Sequence, residues 1–489
     1  MMGGITRRQF IYGSLAAAGS ASLATAATNP PAPYGATPSE RQLRWHEMET
    51  YAFLHFTVNT FTDKEWGYGD EDPSIFDPTE FDADSIVASL AAAGMTGVIL
   101  TAKHHDGFCL WPTKTTDHSV RASRWRGGKG DVVRDLSNAA RAAGLRFGVY
   151  LSPWDRNNPR YGSPEYVETY RAQLRELLTS YGPIFEVWHD GANGGDGYYG
   201  GARQKRVIDK RTYYGWPETW EMVRKIAPEA VIFSDVGPDI RWVGNEKGYA
   251  NETCWETFTP VGESGGPASP GDVRTRDSMS GTRSGVHWMP PECDVSIRPG
   301  WFWHPAENDR VKAAPQLMDL YFKSVGRGGS LLLNVPPDRR GRLHENDTAS
   351  LAEFGKRRRA MFAKDLARGA RVAASNVREG FSADHLIDGE RYTYWSTDDS
   401  ETTPSAVFDL RERSTFEVIR LRENIRLGQR VEAVAIETWD GADWRAAAEA
   451  TSIGPCRLLR LDAPVTASRV RLRVTKSPVC PALEEFALF

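Results

Sequence analysis

From residue 41 to about residue 356 the chain repeats one unit: a short apolar run, a turn, an amphipathic segment, and a return to the next apolar run. Two returns have the same form, Ala92-Ala93-Gly94 and Ala142-Ala143-Gly144. Glycine closes a helix in the left-handed conformation just before a tight turn into a buried strand. The pattern predicts strands over 51–58, 97–102, 146–152, 185–190, 230–235, 252–258 and 330–335, with helices over 84–93, 131–143, 166–181, 218–226 and 308–325. Such alternation predicts an α/β fold, a parallel (β/α)8-like barrel. A doubly wound open sheet would alternate in the same way, but no glycine-rich phosphate loop follows any strand.

The polar residues are placed as a barrel requires. His104-His105-Asp106, Trp154-Asp155, Asp190 and Asp235 fall at or just past the C-terminal end of a predicted strand, the end that carries chemistry in such barrels. Phe185-Glu186-Val187-Trp188-His189-Asp190-Gly191 is the most constrained stretch. Alternation puts Glu186, Trp188 and Asp190 on one face, and an unpaired buried carboxylate is costly. Asp190 either caps the turn into Asn193-Gly194-Gly195 or is a reactive carboxylate held at the barrel mouth beneath an aromatic wall. The surrounding motifs favour the second.

His104 and His105 offer imidazoles at a strand end. A metal site needs three or four protein ligands and no HExxH-like spacing is present, so no metal is expected. Both rings are expected instead to donate hydrogen bonds to sugar hydroxyls, joined by His55, Glu65 and Trp66. Glu246 sits in a glycine-flanked loop after a strand, free to hang over the mouth. With Asp190 it makes a two-carboxylate pair suited to glycoside hydrolysis. Glu252 and Glu256 are the alternatives for the second carboxylate, Glu256 being expected to point into the barrel. Ile297 to His304 wraps Trp301 and Trp303 around a Pro-Gly turn, an aromatic platform kept at the surface.

Composition excludes little but points the same way. A net charge of −4 with 25% charged residues suggests neither a nucleic-acid partner nor an anionic membrane. The 16 Trp and 17 Tyr supply flat rings of the kind that stack on sugar faces. Five cysteines without CxxC spacing indicate neither zinc nor a disulfide framework, although Cys456 and Cys480 could pair. Thr6-Arg7-Arg8-Gln9-Phe10-Ile11, an Ala-rich run and Ala24-Thr25-Ala26 resemble a bacterial twin-arginine export signal over 1–26, implying a periplasmic or secreted protein. Residues 27–40 read as a linker and 41–360 as the barrel. Over 365–489 the texture becomes short alternating runs such as Arg469-Val470-Arg471-Leu472-Arg473-Val474, predicting an all-β sandwich whose sheet has one wet face.

Four motifs in order resemble the α-L-fucosidases of glycoside hydrolase family 29: His104-His105-Asp106-Gly107-Phe108 with Leu110-Trp111, Trp188-His189-Asp190-Gly191, Ser296 to Trp301, and Gly328 to Pro337. The resemblance covers residues 41–351. It implies a retaining enzyme that removes terminal α-L-fucose without a cofactor, with Asp190 as nucleophile. Val243-Gly244-Asn245-Glu246 is similar to the subgroup that prefers α1,3/α1,4-linked fucose, in which this Glu is the acid/base. By the same resemblance His55, Glu65, Trp66, His104, His105, Trp188 and Trp301 line the fucose pocket. Ala374-Ser375-Asn376, His385 to Gly389 and Tyr392 to Ser396 resemble discoidin-like carbohydrate-binding sandwiches, whose motif is largely structural. A non-catalytic fucose-binding lectin and a metal-dependent hydrolase are the rival readings.

Overall fold

The computed structural model describes residues 29–191, 198–199 and 203–489. The twin-arginine-like stretch and Asn193-Gly194-Gly195 lie outside the described residues. Eight parallel strands close into a barrel: β1 (Thr50–Leu54), β2 (Gly97–Lys103), β3 (Arg146–Leu151), β4 (Glu186–Trp188), β5 (Val231–Ser234), β6 (Ile240–Trp242), β7 (Pro291–Ser296) and β8 (Ser330–Asn334). Each pairs with its sequence neighbours and β8 closes on β1. β1, β2, β7 and β8 are buried along their whole length, as expected of strands covered on both faces.

The helices follow from local chemistry. The helix Ala83–Ala92 starts where the Asp82 carboxylate accepts from the Ser85 amide, and Val132–Ala142 where Asp131 accepts from Arg134. Both end at a glycine in the left-handed region, Gly94 at φ 80° and Gly144 at φ 75°. Pro164–Ser180, Trp216–Ile226, Ala314–Lys323 and Glu345–Met361 continue the outer ring. Among the described residues none of the helices is long and apolar enough to cross a membrane.

Two expectations are corrected. Residues 252–258 are not a barrel strand: Thr257–Phe258 pairs with His287–Trp288 in a separate two-stranded sheet. The barrel is completed by β6 and β7, which join β5 and each other without an intervening α-helix. β6 has only three residues, too few to show alternation, and a long excursion of 243–290 separates it from β7. The first strand also stops at Leu54, and Val58–Thr62 is a short helix capped by Thr57.

The C-terminal region is an antiparallel sandwich built on Ser405–Glu423 and Arg457–Lys476. Their pairing shifts register between Asp409/Ser414 and Phe416/Val418, bulges that bend long strands so that they serve two layers. Val470, Leu472 and Val474 are buried while Arg469 and Arg471 turn outward to Asp409 and Glu437, giving the single wet face. Its discoidin-like motif holds corners: His385 Nδ1 donates to the Tyr394 carbonyl (2.9 Å) and Trp395 Nε1 to that of Asn376 (3.1 Å).

Charge locks the sandwich to the barrel. Arg422 bridges Glu49 (2.7 Å) and Glu485 (2.8 Å). The segment before the barrel also docks there, with the Tyr34 amide donating to the Leu427 carbonyl at 2.9 Å. All five cysteines are free and buried, so Cys456 and Cys480 are not paired.

Candidate active site

The C-terminal ends of the strands surround a cavity of about 260 Å³. Asp190, Glu246, His55, Glu65, Trp66, His104, His105, Trp188 and Trp301 all line it. Asp235, expected at a strand end, lines it too, as do residues that the sequence did not mark: Tyr150, Trp242, Glu263 and Asp294.

β4 sends three side chains inward at successive depths. Glu186 lies deepest, fully buried, and accepts from Trp45 Nε1 at 3.1 Å. Above it Trp188 stacks on Phe233 (4.1 Å, 11°) and donates through Nε1 to Glu292 at 2.6 Å. Tyr51 also donates its hydroxyl to Glu292. Burial pushes Glu186 and Glu292 above the ordinary carboxylate range, Glu186 further by the charge of Glu292. The pair therefore retains a proton, and Glu292, receiving the donors, is its acceptor half.

Asp190 stands two residues beyond Trp188. Its Oδ2 accepts from the Tyr150 hydroxyl at 2.7 Å and lies 3.6 Å from His105 Nε2. Burial and the Asp190 charge keep the Tyr150 phenol well above its usual range, so it remains a donor. Tyr150 in turn stacks on Trp188 (5.3 Å, 29°), tying the carboxylate to the aromatic floor. Gly191 lets the chain pass close to Asp235: a Cβ there would sit 2.1 Å from the Asp235 carboxylate, which would have to move.

The imidazoles are neutral. Burial lowers His55 and His105 to about 3 and His104 well below the usual value, the last also through the neighbouring rings. Their partners fix the tautomers. Ser152 gives its hydroxyl proton to the Trp154 carbonyl (2.7 Å), so it accepts from His105 Nδ1–H at 2.7 Å. Asn334 spends its amide protons on Ser296 and the Trp301 carbonyl, so its Oδ1 accepts from His55 Nδ1 at 2.8 Å. The Nε2 of His105 is then a lone pair, as is that of His55. The expectation that His105 donates to a hydroxyl is reversed at Nε2, because Ser152 takes the ring's one N–H.

Glu65 fixes the Trp301 loop, accepting from the amides of Trp301 (3.0 Å) and Phe302 (3.2 Å) and from His304 Nε2 (2.6 Å). His304 Nδ1 meets Asp63 at 2.8 Å. Burial lowers its pKa, but bonds to the two carboxylates raise it overall, favouring a doubly donating imidazolium. Trp66, half exposed, sets its ring edge-on to His105 and Trp154.

The alternatives for the second carboxylate lie elsewhere. Glu252 pairs with Arg327 (2.7 Å) and Arg457 at the sandwich junction. Glu256 is buried at that junction too, its amide donating to Gln429 at 2.8 Å and its carboxyl oxygens without a hydrogen-bond partner. It does not point into the barrel, because residues 252–258 are not one of its strands. Burial raises Glu256 to about 8, Arg241 opposing and Glu423 adding. A carboxyl whose folded pKa exceeds its unfolded value stabilises fully below about pH 4.5 and loses that contribution as pH rises toward 8. Glu256→Gln is therefore expected to raise the melting temperature at pH 8, to change it little at pH 4.5, and to retain the wild-type fucose release. A fall in melting temperature at pH 8 would contradict this assignment.

His104, His105 and Asp190 also bring three potential ligand atoms within 4.8 Å of one another. Chelation is accordingly the control that any activity assay here requires.

Residues 32–357 match the family model described as alpha-L-fucosidase, and 371–486 that of the F5/8 type C domain. The chain is 41% identical over 466 residues to alpha-L-fucosidase 1 of Arabidopsis thaliana, covering 94% of this chain and 88% of that protein. Among solved structures it resembles a putative alpha-L-fucosidase from Bacteroides thetaiotaomicron (39% identity, TM-score 0.85, 94% and 99% of the two chains). A Ruminococcus gnavus fucosidase of glycoside hydrolase family 29 in complex with fucose is 31% identical, with TM-score 0.84 and coverage of 95% and 97%. Barrel, cavity and likeness over nearly the whole chain agree, and this protein belongs to the α-L-fucosidases of glycoside hydrolase family 29.

Proposed function

We propose that the protein is a retaining exo-α-L-fucosidase acting on α1,3/α1,4-linked fucose in branched glycans by double displacement. The observation that carries this reading is Asp190, held by Tyr150 beside neutral imidazoles, in the same cavity as Glu246. A carboxylate oxygen of Asp190 bonds to the anomeric carbon as the bond to the leaving oxygen breaks, and Glu246 gives its proton to that oxygen. Glu246 then takes a proton from water as the water oxygen replaces Asp190 at the same carbon. His55 and His105 accept from fucose hydroxyls, which orients the ring, while Trp66 and Trp301 offer flat faces to its apolar side and Trp188 forms the floor beneath it. The linkage preference rests on Val243-Gly244-Asn245-Glu246, and the residue 1–26 segment supports export through the twin-arginine route.

The test is fucose release from a branched Lewis-type trisaccharide and from α1,2-linked 2′-fucosyllactose, side by side, with and without EDTA. Release from the branched sugar alone, indifferent to EDTA, is expected. Release from both removes the linkage claim. Release abolished by EDTA favours a metal-dependent hydrolase built on His104, His105 and Asp190, and no release from either sugar favours a lectin.

A further inference from the structure

Asp294 is a carboxyl without a counter-charge in the wall of the active-site cavity. It points inward from β7, is 4% exposed, and among the described residues has no Lys or Arg paired with it. Its one described side-chain hydrogen bond comes from Trp242 Nε1, 2.7 Å from Oδ1. Burial and the charges of Glu246 and Glu292 hold it well above the ordinary carboxylate range, which favours its protonated form.

Trp242 is the last residue of β6, and Glu246 follows four residues later. The connection is a tight arm. Gly244 has φ 88°, and a Cβ there would lie 2.6 Å from the Thr275 carbonyl. Asn245 accepts from the Lys247 amide at 2.9 Å and donates to the Tyr249 carbonyl at 3.0 Å, closing the turn on itself. Glu246 itself is exposed at the rim. The arm is thus rigid within itself but springs from a strand of three residues, and the indole–carboxyl bond fixes its base to the barrel wall.

We propose that Asp294, through Trp242, is a positioning residue for Glu246, setting where the acid/base arm stands on the leaving-group side of the pocket. The proposal deepens the acid/base reading above and rests on it. Proton donation depends on the placement of the donor to within about an ångström, and a three-residue strand does not supply that precision alone. In kcat/KM, which ends at the first bond cleavage, a residue with this role matters only where the departing oxygen needs a proton.

The experiment compares kcat/KM on the branched trisaccharide with that on a 4-nitrophenyl fucoside, whose leaving group departs unprotonated. For Asp294→Ala and for Trp242→Phe, the sugar value is expected to fall roughly 10- to 100-fold and the aryl value far less. Trp242→Phe removes the donor and keeps a ring, so it serves if Asp294→Ala fails to fold. Asp294→Asn retains the acceptor and is expected to recover most of the lost sugar/aryl ratio. The double variant Asp294→Ala/Trp242→Phe is expected to be no worse than either single one. Equal loss on both substrates, or an unchanged ratio in Trp242→Phe, overturns the proposal. Glu246→Gln separates the two levels. A ratio change there but not at Asp294 or Trp242 removes only the positioning role; no change at Glu246 with a change at Asp294 makes Asp294 itself the proton donor and overturns both statements.

Discussion

Replacing Asp190 by Ala is expected to abolish fucose release while leaving the fold in place. The loss should be on the order of 10⁴-fold or more in kcat, the scale seen when a residue central to covalent catalysis is removed. Asp190 is held as an acceptor by the Tyr150 hydroxyl at 2.7 Å. Its side chain is itself one-fifth exposed, so its removal opens space that water can fill rather than a dry void. The melting temperature should therefore stay close to wild type. Azide provides the sharper readout. In Asp190→Ala it occupies the vacated face and attacks the anomeric carbon of an activated aryl fucoside directly, expelling the aryl oxyanion and giving fucosyl azide of inverted configuration. Near-full activity in this variant would falsify the nucleophile assignment.

Glu246→Ala should produce a different defect in the same assay. General acid and base catalysis contributes about 10²- to 10⁴-fold, so kcat/KM on the branched sugar should fall within that range. On an aryl fucoside kcat/KM should change little, because that leaving group needs no proton. Its kcat should fall, since water then attacks the fucosyl–Asp190 bond without a base. Azide needs no deprotonation, so it should restore kcat and yield fucosyl azide of retained configuration. Opposite product configurations from the two variants would distinguish nucleophile from acid/base in one pair of reactions. If Glu246→Ala instead loses both substrates equally and azide restores nothing, Glu246 is not the acid/base. Glu263, the other exposed carboxyl lining the cavity, would then be the candidate, not Glu252 or Glu256. Glu252 is taken up by Arg327 and Arg457, and Glu256 is buried at the sandwich junction.

Much of this protein is determined by local sequence. The strand–helix units of the first half are readable because each carries its own signals: Asp82 and Asp131 as caps, Gly94 and Gly144 as terminators, and strands apolar enough to be buried on both faces. The inward column Glu186, Trp188, Asp190 follows from alternation alone. So does the one-sided wetness of the sandwich strand through Arg469 to Val474. The sequence-derived site residues meet in one cavity because a barrel gathers the C-terminal ends of all its strands, so a reading that gets the strand ends right gets the site.

What the sequence did not determine lies where a residue's role depends on partners distant in the chain. Residues 252–258 have the composition of a strand, but β6 and β7 took the place in the barrel, because pairing is decided by which edges meet and not by propensity. Glu256 moved with that correction from barrel interior to domain junction. The Trp188–Glu292 bond joins residues 104 apart in sequence, and the proton-sharing pair it belongs to is invisible until β4 and β7 face each other across the core. Tyr150 and Asp294 carry no local mark, each being an ordinary inward residue of a strand until Asp190 and Trp242 are placed against it. The hydrogen-bonding sense of His55 and His105 was decided last, by Asn334 and Ser152. A neutral imidazole has one proton, and only the folded structure says which neighbour has already taken it.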